Sequence, residues 1–247
     1  MGVILDKTAF QWHFPVLTAE VDMFDRLKIS ALMKRQQEIG ELHLIQFGTS
    51  SDKMRDEQGF AFIFTKMNIK VTRLPKSKEN VILTTWCSGL KGVRFTRNYV
   101  LRDELGFVLT EAKAEVTAID LNTRKIVRPR EINGFEDFLY NEDLENTCPY
   151  PEKLTFFSES DKTYSRDVRF SDIDFNGHVN NTVYADISFD ALPIKALENA
   201  IKGFEINFIN EAVLGETVEV SVSSDDDGWM VSGKTDVHDC FVVKLTF

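Results

Sequence analysis

The sequence predicts an α+β protein made of two similar halves. Three observations support this: a long segment of helical periodicity at 29–47, four strand-like segments after it, and the same order again after residue 163. Strand-like segments joined by short turns favour antiparallel pairing. We therefore expect each half to hold one helix against its own antiparallel strands.

The first half is predicted to start with a strand at 14–22 and to continue with a helix at 29–47. Good helix formers fill this helix, no Pro interrupts it, and Gly48 is a plausible stop. The polar residues 49–59 are predicted to form a loop. Strands follow at 61–72, 80–89, 93–102 and 108–120, with a hairpin turn at 103–106.

A polar region at 121–163, with three Pro residues and acidic clusters, separates the halves. We predict an N-terminal domain at 1–130, a linker at 131–162 with a short helix at 134–140, and a C-terminal domain at 163–247. In the second half a strand is expected at 163–170 and helical segments at 182–192 and 193–200. Strands are expected at 202–210, 216–223, 229–235 and 240–247, with a turn at 225–228.

The composition is that of a globular protein, with 43% hydrophobic and 28% charged residues in a chain of 247. No apolar run approaches the ~20 residues that span a bilayer. Residues 1–12 lack the basic start and apolar stretch of a signal peptide, so a cytoplasmic location is expected. Cys87, Cys148 and Cys240 are odd in number and far apart, which predicts free thiols. Neither a metal nor another cofactor is expected.

Charge is divided unevenly between the halves. The net charge of -10 argues against nucleic acid as a general partner. Residues 1–130 hold 21 Lys+Arg against 15 Asp+Glu, whereas residues 131–247 hold 8 against 24. Two readings remain open: mutual attraction of the halves, with a solvated acidic domain, or a basic surface in the first half that docks an acidic macromolecule.

The segment 171–184 carries the clearest chemical signal. It places a carboxylate, an amide and an imidazole at alternate positions, Asp174, Asn176 and His178. In an extended backbone these three side chains point to one side. Asn180, Asn181 and a Thr then supply cap residues for a helix. A base, an orienting group and a helix N-terminus in one segment indicate a hydrolytic site.

The two halves can be aligned by hand, with 21–26 opposite 173–178. The identity is low, as expected of an old duplication. Phe24 and Arg26 stand where the second half has Asn176 and His178. The sequence therefore predicts that only the second half is catalytic and that the first is scaffold or pocket wall.

A helix wrapped by a curved antiparallel sheet, repeated in tandem, is the double hotdog arrangement. The chain resembles one family of this fold, the acyl-acyl carrier protein thioesterases of plants and bacteria. The resemblance covers nearly the whole chain, and its most specific part is Asp174-x-Asn176-x-His178-Val179-Asn180-Asn181-x-x-Tyr184. In the first half the similar segments are 73–75, 81–86, 94–102 with Gly106, and 119–125.

The resemblance implies hydrolysis of an acyl thioester, with Glu211 completing the set Asp174, Asn176 and His178. Plant members usually carry Cys after this Glu, and Ala212 stands there instead, which excludes a thiol nucleophile at that place. One carboxylate would be a general base or a nucleophile. Asn176 and His178 would orient water or stabilise the oxyanion, with help from free amides near Asn181. Which carboxylate attacks stays open.

The implied partner is an acyl carrier protein, which is small and acidic. Arg124 and Lys125 lie in a basic run of the first half and are predicted to help bind this substrate, with Asn180 and Asn181 at the site itself. Both a monomer and a homodimer agree with a tandem double hotdog.

Three other functions remain open: an acyl- or aroyl-coenzyme A thioesterase, a non-catalytic acyl-binding module, and a dehydratase. A purely structural role is the alternative for each residue: Asp174 and Asn176 as turn formers, Asn180 and Asn181 as caps, and Glu211 as a surface residue.

Overall fold

The computed structural model describes residues 2–6, 8–132, 140–157, 162–225 and 228–247. Its longest helix, α1, spans Ile29–Gln46, as the periodicity predicts. Leu32 and Ile39 on its inner face are fully buried. The helix ends where Gly48 adopts a φ of 79° and donates its N–H to the carbonyl of Ile45. The helix packs on strands of the first half and on the short helix α3 of the second, Val183–Asp190.

In the described residues the strands form one antiparallel sheet. The strands of the first half are β1 Gly2–Asp6, β2 Ala9–Pro15, β3 Phe60–Val71, β4 Asn80–Lys91, β5 Arg94–Asp103 and β6 Val108–Asp120. Those of the second half are β7 Lys162–Asp167, β8 Gly203–Phe208, β9 Thr217–Asp225, β10 Gly228–Lys234 and β11 Asp239–Thr246. The predicted order of helix and strands is therefore found in both halves.

The two halves join through β3 and β8, which pair antiparallel with Met67 opposite Ile206. Outward from this junction the order is β3-β6-β5-β4-β2 on one side and β8-β11-β10-β9-β7 on the other. Corresponding strands of the two repeats thus occupy corresponding places, and β1 adds a further strand beside β2. A side chain on the helix-facing side of one half can consequently share a cavity with the other half.

Two predicted elements of the first half are wrong. The strand expected at 14–22 lies earlier, as β2. Beyond Pro15, Val16 still bonds to the neighbouring segment, at Glu79 and Lys78, before the backbone enters a 3-10 turn, Thr18–Glu20. The loop expected at 49–59 contains a helix, α2, Ser51–Gln58. Ser50 caps this helix by accepting the N–H of Lys53, and Gly59 ends it with a φ of 71°.

The described part of the predicted linker, 140–157, lies against the sheet. Cys148 within it is 1% exposed. Side chains of the sheet bind it through hydrogen bonds that join Asn98 to Asn146, Glu111 to Thr147, Glu115 to Tyr150 and Asn207 to Leu154. Asn98 and Tyr99 are consecutive on β5, so their side chains point to opposite faces of the sheet. Tyr99 faces α1, and the linker bound by Asn98 therefore covers the face away from α1. The domain division at 130 and 163 stays a prediction.

The second half has one more helix, α4, Ile194–Leu197, within the predicted segment 193–200. The helix expected at 134–140 falls mainly on 133–139, and the centre of the turn expected at 225–228 is 226–227; both stretches lie outside the described residues. No helix in the described part of the chain has the length and apolar character needed to cross a membrane.

Candidate active site

The segment that carries the predicted catalytic residues is a tight turn between two isolated bridge residues, Ile173 and Val179. The N–H of Asp174 donates to the carbonyl of His178 (2.9 Å), and the N–H of Gly177 donates to the carbonyl of Asp174 (3.0 Å). Gly177 has a φ of 83°, which favours glycine. The extended backbone assumed in the sequence analysis is therefore wrong here, and alternation does not align the three side chains.

Asp174 shapes this turn with its own side chain, since its Oδ1 accepts the N–H of Asn176 at 2.8 Å. No hydrogen bond or ion pair of the described residues joins the Asp174 carboxylate to His178 or Glu211. One carboxylate oxygen of Asp174 therefore has the turn-forming role that was the structural alternative for this residue. The residue nevertheless lines the same cavity as His178 and Glu211.

The first half repeats the turn in detail. The N–H of Asp22 donates to the carbonyl of Arg26 (2.8 Å), and that of Phe24 donates to Asp22 Oδ1 (2.8 Å). Asp25, with a φ of 58°, occupies the place of Gly177. These bonds match those of the second half one for one, so the hand alignment of 21–26 with 173–178 is confirmed.

His178 and Glu211 come together as predicted. His178 Nε2 lies 3.5 Å from Glu211 Oε2. Backbone pairing fixes the two segments, because the N–H of Val179 donates to the carbonyl of Ala212 (2.9 Å). The N–H of Ala212 in turn donates to the hydroxyl of Tyr184 (3.0 Å), which is buried on α3. Burial raises the pKa of Tyr184, so it remains a neutral phenol that positions the Glu211 segment.

Arg124 from the first half reaches the same carboxylate: its Nη2 forms an ion pair with Glu211 Oε2. A tight turn projects it, in which Asp120 accepts the N–H groups of Asn122 and Thr123. Arg124 itself has a φ of 58°, an uncommon conformation for a residue other than glycine. Backbone strain of this kind clusters at functional sites. The role of Arg124 in carrier docking stays a prediction, and the structure shows in addition that its guanidinium has an acidic partner within the chain.

The remaining predicted residues have different placements. Asn180 and Asn181 line the cavity, whereas Lys125 lies outside it. Asn180 Oδ1 accepts the N–H and hydroxyl of Thr182, and its carbonyl accepts the N–H of Val183. Two amides expected to be free at the start of α3 are therefore occupied.

The cavity has a volume of about 1460 Å³ and is built from both halves. Aromatic side chains dominate its apolar wall, among them Phe62, Phe64, Phe95 and Phe208. The helix α2 forms part of the mouth, where the guanidinium of Arg55 lies 5.1 Å from the ring centroid of Phe175. The loop predicted at 49–59 did not anticipate this helix, whose signals in the sequence are the Ser50 cap and the terminating Gly59.

The turn at 174–177 is anchored by Asp172, which is 7% exposed and accepts hydrogen bonds from both terminal nitrogens of Arg166 at 2.9 Å. Burial alone would raise the pKa of Asp172, but the hydrogen bonds from Arg166 and from the N–H of Arg169 hold it below its ordinary value. In the residues that the structure describes, no group of three His, Cys, Asp or Glu side chains could hold a metal.

Comparison with protein families gives two adjacent matches. The model of the acyl-ACP thioesterase N-terminal domain matches residues 7–132, and that of the C-terminal domain matches residues 158–239. Among curated proteins, the chain is 26% identical over 209 residues to "Palmitoyl-acyl carrier protein thioesterase, chloroplastic" of Arabidopsis thaliana, covering 79% of this chain and 50% of that one. It is 24% identical over 241 residues to "Dodecanoyl-[acyl-carrier-protein] hydrolase, chloroplastic" of Umbellularia californica, covering 91% and 63%.

Solved structures share the fold. An acyl-ACP thioesterase from Bacteroides thetaiotaomicron superposes with a TM-score of 0.86 at 22% identity, covering 97% of both chains. A 12:0-ACP thioesterase from Umbellularia californica gives 0.85 at 19% identity, covering 96% of both. The predicted fold class is thereby confirmed. The chain spans about half the length of the first curated relatives it matches.

Proposed function

This chain belongs to the acyl-acyl carrier protein thioesterase family, and we propose that it hydrolyses the thioester of acyl-acyl carrier protein to release a free fatty acid. The observation that carries the proposal is the cluster of Arg124, Glu211 and His178, which lies in one aromatic-lined cavity. Such a cavity suits an acyl chain, and the cluster suits activation of water.

In the proposed reaction His178 is the general base. Glu211 Oε2 already faces the guanidinium of Arg124, so the carboxylate can hold the imidazole in one orientation and stabilise its positive charge. His178 takes a proton from water as the water oxygen bonds to the carbonyl carbon. The C–S bond then breaks, and the leaving thiolate takes that proton from the imidazolium. The products are the fatty acid and the carrier thiol.

The developing oxyanion needs hydrogen-bond donors. The side chain of Asn176 is exposed in the cavity and has no hydrogen-bond partner in the described structure, so we assign it to this role, with Asn181 beside it. One such donor typically contributes ~10²–10³-fold to the rate. Asp174, whose second oxygen has no partner among the described residues, is the further carboxylate that orients water.

For the carrier we propose a docking surface next to Arg124, made of Lys125, Arg128 and Arg130. All three side chains are exposed, and none forms an ion pair with a described carboxylate. They are the charges that an acidic partner can neutralise. The proposal includes the division into a first domain at 1–130 that shapes the pocket, a linker at 131–162 and a catalytic domain at 163–247, and a location in the cytoplasm.

The decisive experiment measures hydrolysis of acyl carrier protein thioesters of several chain lengths, and of the matching coenzyme A thioesters. The wild type is compared with Glu211→Gln, His178→Ala and Asp174→Asn. We expect Glu211→Gln and His178→Ala to lower kcat by ~10²–10⁴-fold, the usual contribution of a general base. Glu219→Gln and His13→Ala serve as controls, since both residues are exposed and neither lines the cavity.

Three outcomes would contradict the proposal in different ways. Tight acyl binding without turnover by the wild type would indicate a binding module instead. A higher kcat/KM for coenzyme A thioesters than for carrier thioesters would favour the acyl-coenzyme A reaction. Full activity of His178→Ala would remove the assigned base.

A further inference from the structure

The inner face of the first half is polar where an acyl pocket would ordinarily be apolar. Tyr99 on β5 is fully buried and lines the cavity, yet its hydroxyl has no hydrogen-bond partner among the described residues. Burial raises its pKa, so the group stays a neutral phenol. An unpaired hydroxyl in such a place costs stability, because it has lost water without gaining a partner.

Arg97 lies two residues before Tyr99 and faces the same side of β5. One terminal nitrogen is 3.2 Å from His43 Nδ1 and donates to the hydroxyl of Thr85 at 3.3 Å. No described carboxylate forms an ion pair with it, although it lines the cavity. Arg97 therefore brings a positive charge and unused N–H groups to the wall of the pocket.

The facing side of α1 continues this polar surface. At Gly40 a Cβ atom would stand 3.8 Å from the Tyr99 hydroxyl and 3.9 Å from the Arg97 side chain, so the helix backbone approaches both closely. Gln36, one turn earlier on the same face, is 1% exposed, and neither atom of its amide has a partner in the described structure. Gln36 and Tyr99 are buried and Arg97 is half-buried, so this region holds three polar side chains whose donors are not all used by the described residues.

This polar cluster, Gln36, Arg97 and Tyr99, is remote from the reacting thioester. Through the strand register Arg97 is opposite Ala114, Ala114 is opposite Met67, and Met67 is opposite Ile206. Three strand spacings of ~4.8 Å separate β5 from β8, or about 14 Å across the sheet. Glu211 lies beyond the end of β8. An acyl chain that starts at Glu211 therefore meets the cluster with its distal part.

We propose that the inner end of the cavity binds a hydroxyl group on the distal part of the acyl chain, so that the preferred substrates are hydroxylated acyl thioesters. The inference rests on the proposed thioesterase function and names the substrate class of that site. A distal hydroxyl would accept from Arg97 and exchange a hydrogen bond with Tyr99. A plain chain would leave these groups unpaired, and sites built to pair with a hydroxyl discriminate against ligands that lack one.

The test compares pairs of acyl carrier protein thioesters of equal length, with and without a hydroxyl at the terminal carbon or at successive distal carbons. For the wild type we expect kcat/KM to be about 10- to 100-fold higher for the best hydroxylated chain, the ratio that follows from one or two buried polar groups left unpaired. Tyr99→Phe should bring the ratio close to one. Tyr150→Phe, on the opposite face of the sheet, should leave the preference in place.

A readout without substrate accompanies the kinetics: removal of an unpaired buried hydroxyl should leave the Tm of Tyr99→Phe equal to or above that of the wild type. The second variant is Arg97→Lys, which keeps the positive charge but removes the planar guanidinium with its several N–H donors. It should reduce the same preference for hydroxylated chains. Equal kcat/KM for plain and hydroxylated chains, or an unchanged ratio in Tyr99→Phe, overturns the inference. Absence of hydrolysis with every thioester would instead remove the proposed function.

Discussion

The ion pair between Arg124 and Glu211 supports a quantitative prediction, because it joins the first half to the carboxylate beside the proposed base, His178. The perturbation is Arg124→Ala. This change keeps a residue with a Cβ at the strained φ of 58°, so the backbone preference is little altered. The variant removes only the guanidinium that faces Glu211 Oε2.

The expected magnitude follows from exposure. The Arg124 side chain is 52% exposed and that of Glu211 is 35% exposed, so solvent screens the pair and its contribution to stability is at most about 1 kcal/mol. If the same energy is lost when His178 becomes charged in the transition state, kcat falls about fivefold. If the Glu211 carboxylate also shifts by about 1 Å once the guanidinium is gone, the total loss of kcat can reach ~10²-fold. We therefore expect kcat to fall by about 5- to 100-fold and Tm to change by no more than about 4 °C.

The assay is steady-state hydrolysis of carrier and coenzyme A thioesters of the same chain. Lys125→Ala is the control for kcat, since its proposed docking role should change only the KM of the carrier thioester. Lys125 is the next residue, is exposed, and has no ion pair in the described structure. Arg124→Ala should lower kcat equally for both substrates, whereas Arg124→Lys should retain part of the activity because it keeps the charge. In a Glu211→Gln background, Arg124→Ala should have no further effect.

Two results would refute this reasoning. Arg124→Ala and Lys125→Ala with the same kcat would show that the ion pair does not act in catalysis. A change confined to the KM of the carrier substrate would return Arg124 to the docking role that its sequence context first suggested.

Two further predictions concern the anchors of the site. Asp172→Asn should lower the free energy of unfolding by about 1–3 kcal/mol, since the two hydrogen bonds from Arg166 lose their charged acceptor. Folding lowers the pKa of Asp172, so its contribution to stability is present above about pH 4 and is lost as the pH falls through the folded value. The difference in urea unfolding between wild type and Asp172→Asn should therefore vanish in acid. A difference that stays constant with pH would contradict this. Tyr184→Phe should lower kcat more than it changes KM, because the N–H of Ala212 loses its acceptor beside Glu211; an effect on KM alone would show that Tyr184 only shapes the pocket.

The sequence was sufficient for the elements whose formation depends on local patterns. The helix at 29–47 and the strands at 61–120 appear within a few residues of their predicted bounds, because periodicity and turn residues determine them. The helix α2 was missed since its apolar content is low and a single cap, Ser50, identifies it. The first strand was displaced because an apolar run on both sides of Pro15 gave no indication of where ladder pairing stops.

At the site, the side chains singled out from the sequence as catalytic line one cavity, but the sequence did not give their arrangement. The pairing of Glu211 with His178 was predicted through the family pattern, and the distance between them agrees with it. An extended backbone was expected from Asp174 to His178, although Gly177 is a strong turn signal and the segment forms a tight turn. Arg124 and the polar cluster could not be assigned, because both depend on contacts between residues more than fifty positions apart.

The duplicated turn presents different side chains at equivalent positions, which fits the proposed division into a catalytic half and a structural half. In the first half Arg26 stands in the place of His178, and its guanidinium donates to the carbonyls of Leu197 and Asn199 at the end of α4. Arg26 also pairs with Asp22, the counterpart of Asp174. The same backbone turn therefore carries an Arg that binds the other half in one copy and the proposed base, His178, in the other. Arg124 of the first half likewise reaches Glu211 of the second half, so two guanidinium groups of the first half bind the second. Separation of the halves should therefore disable a site whose predicted residues lie mostly in one of them.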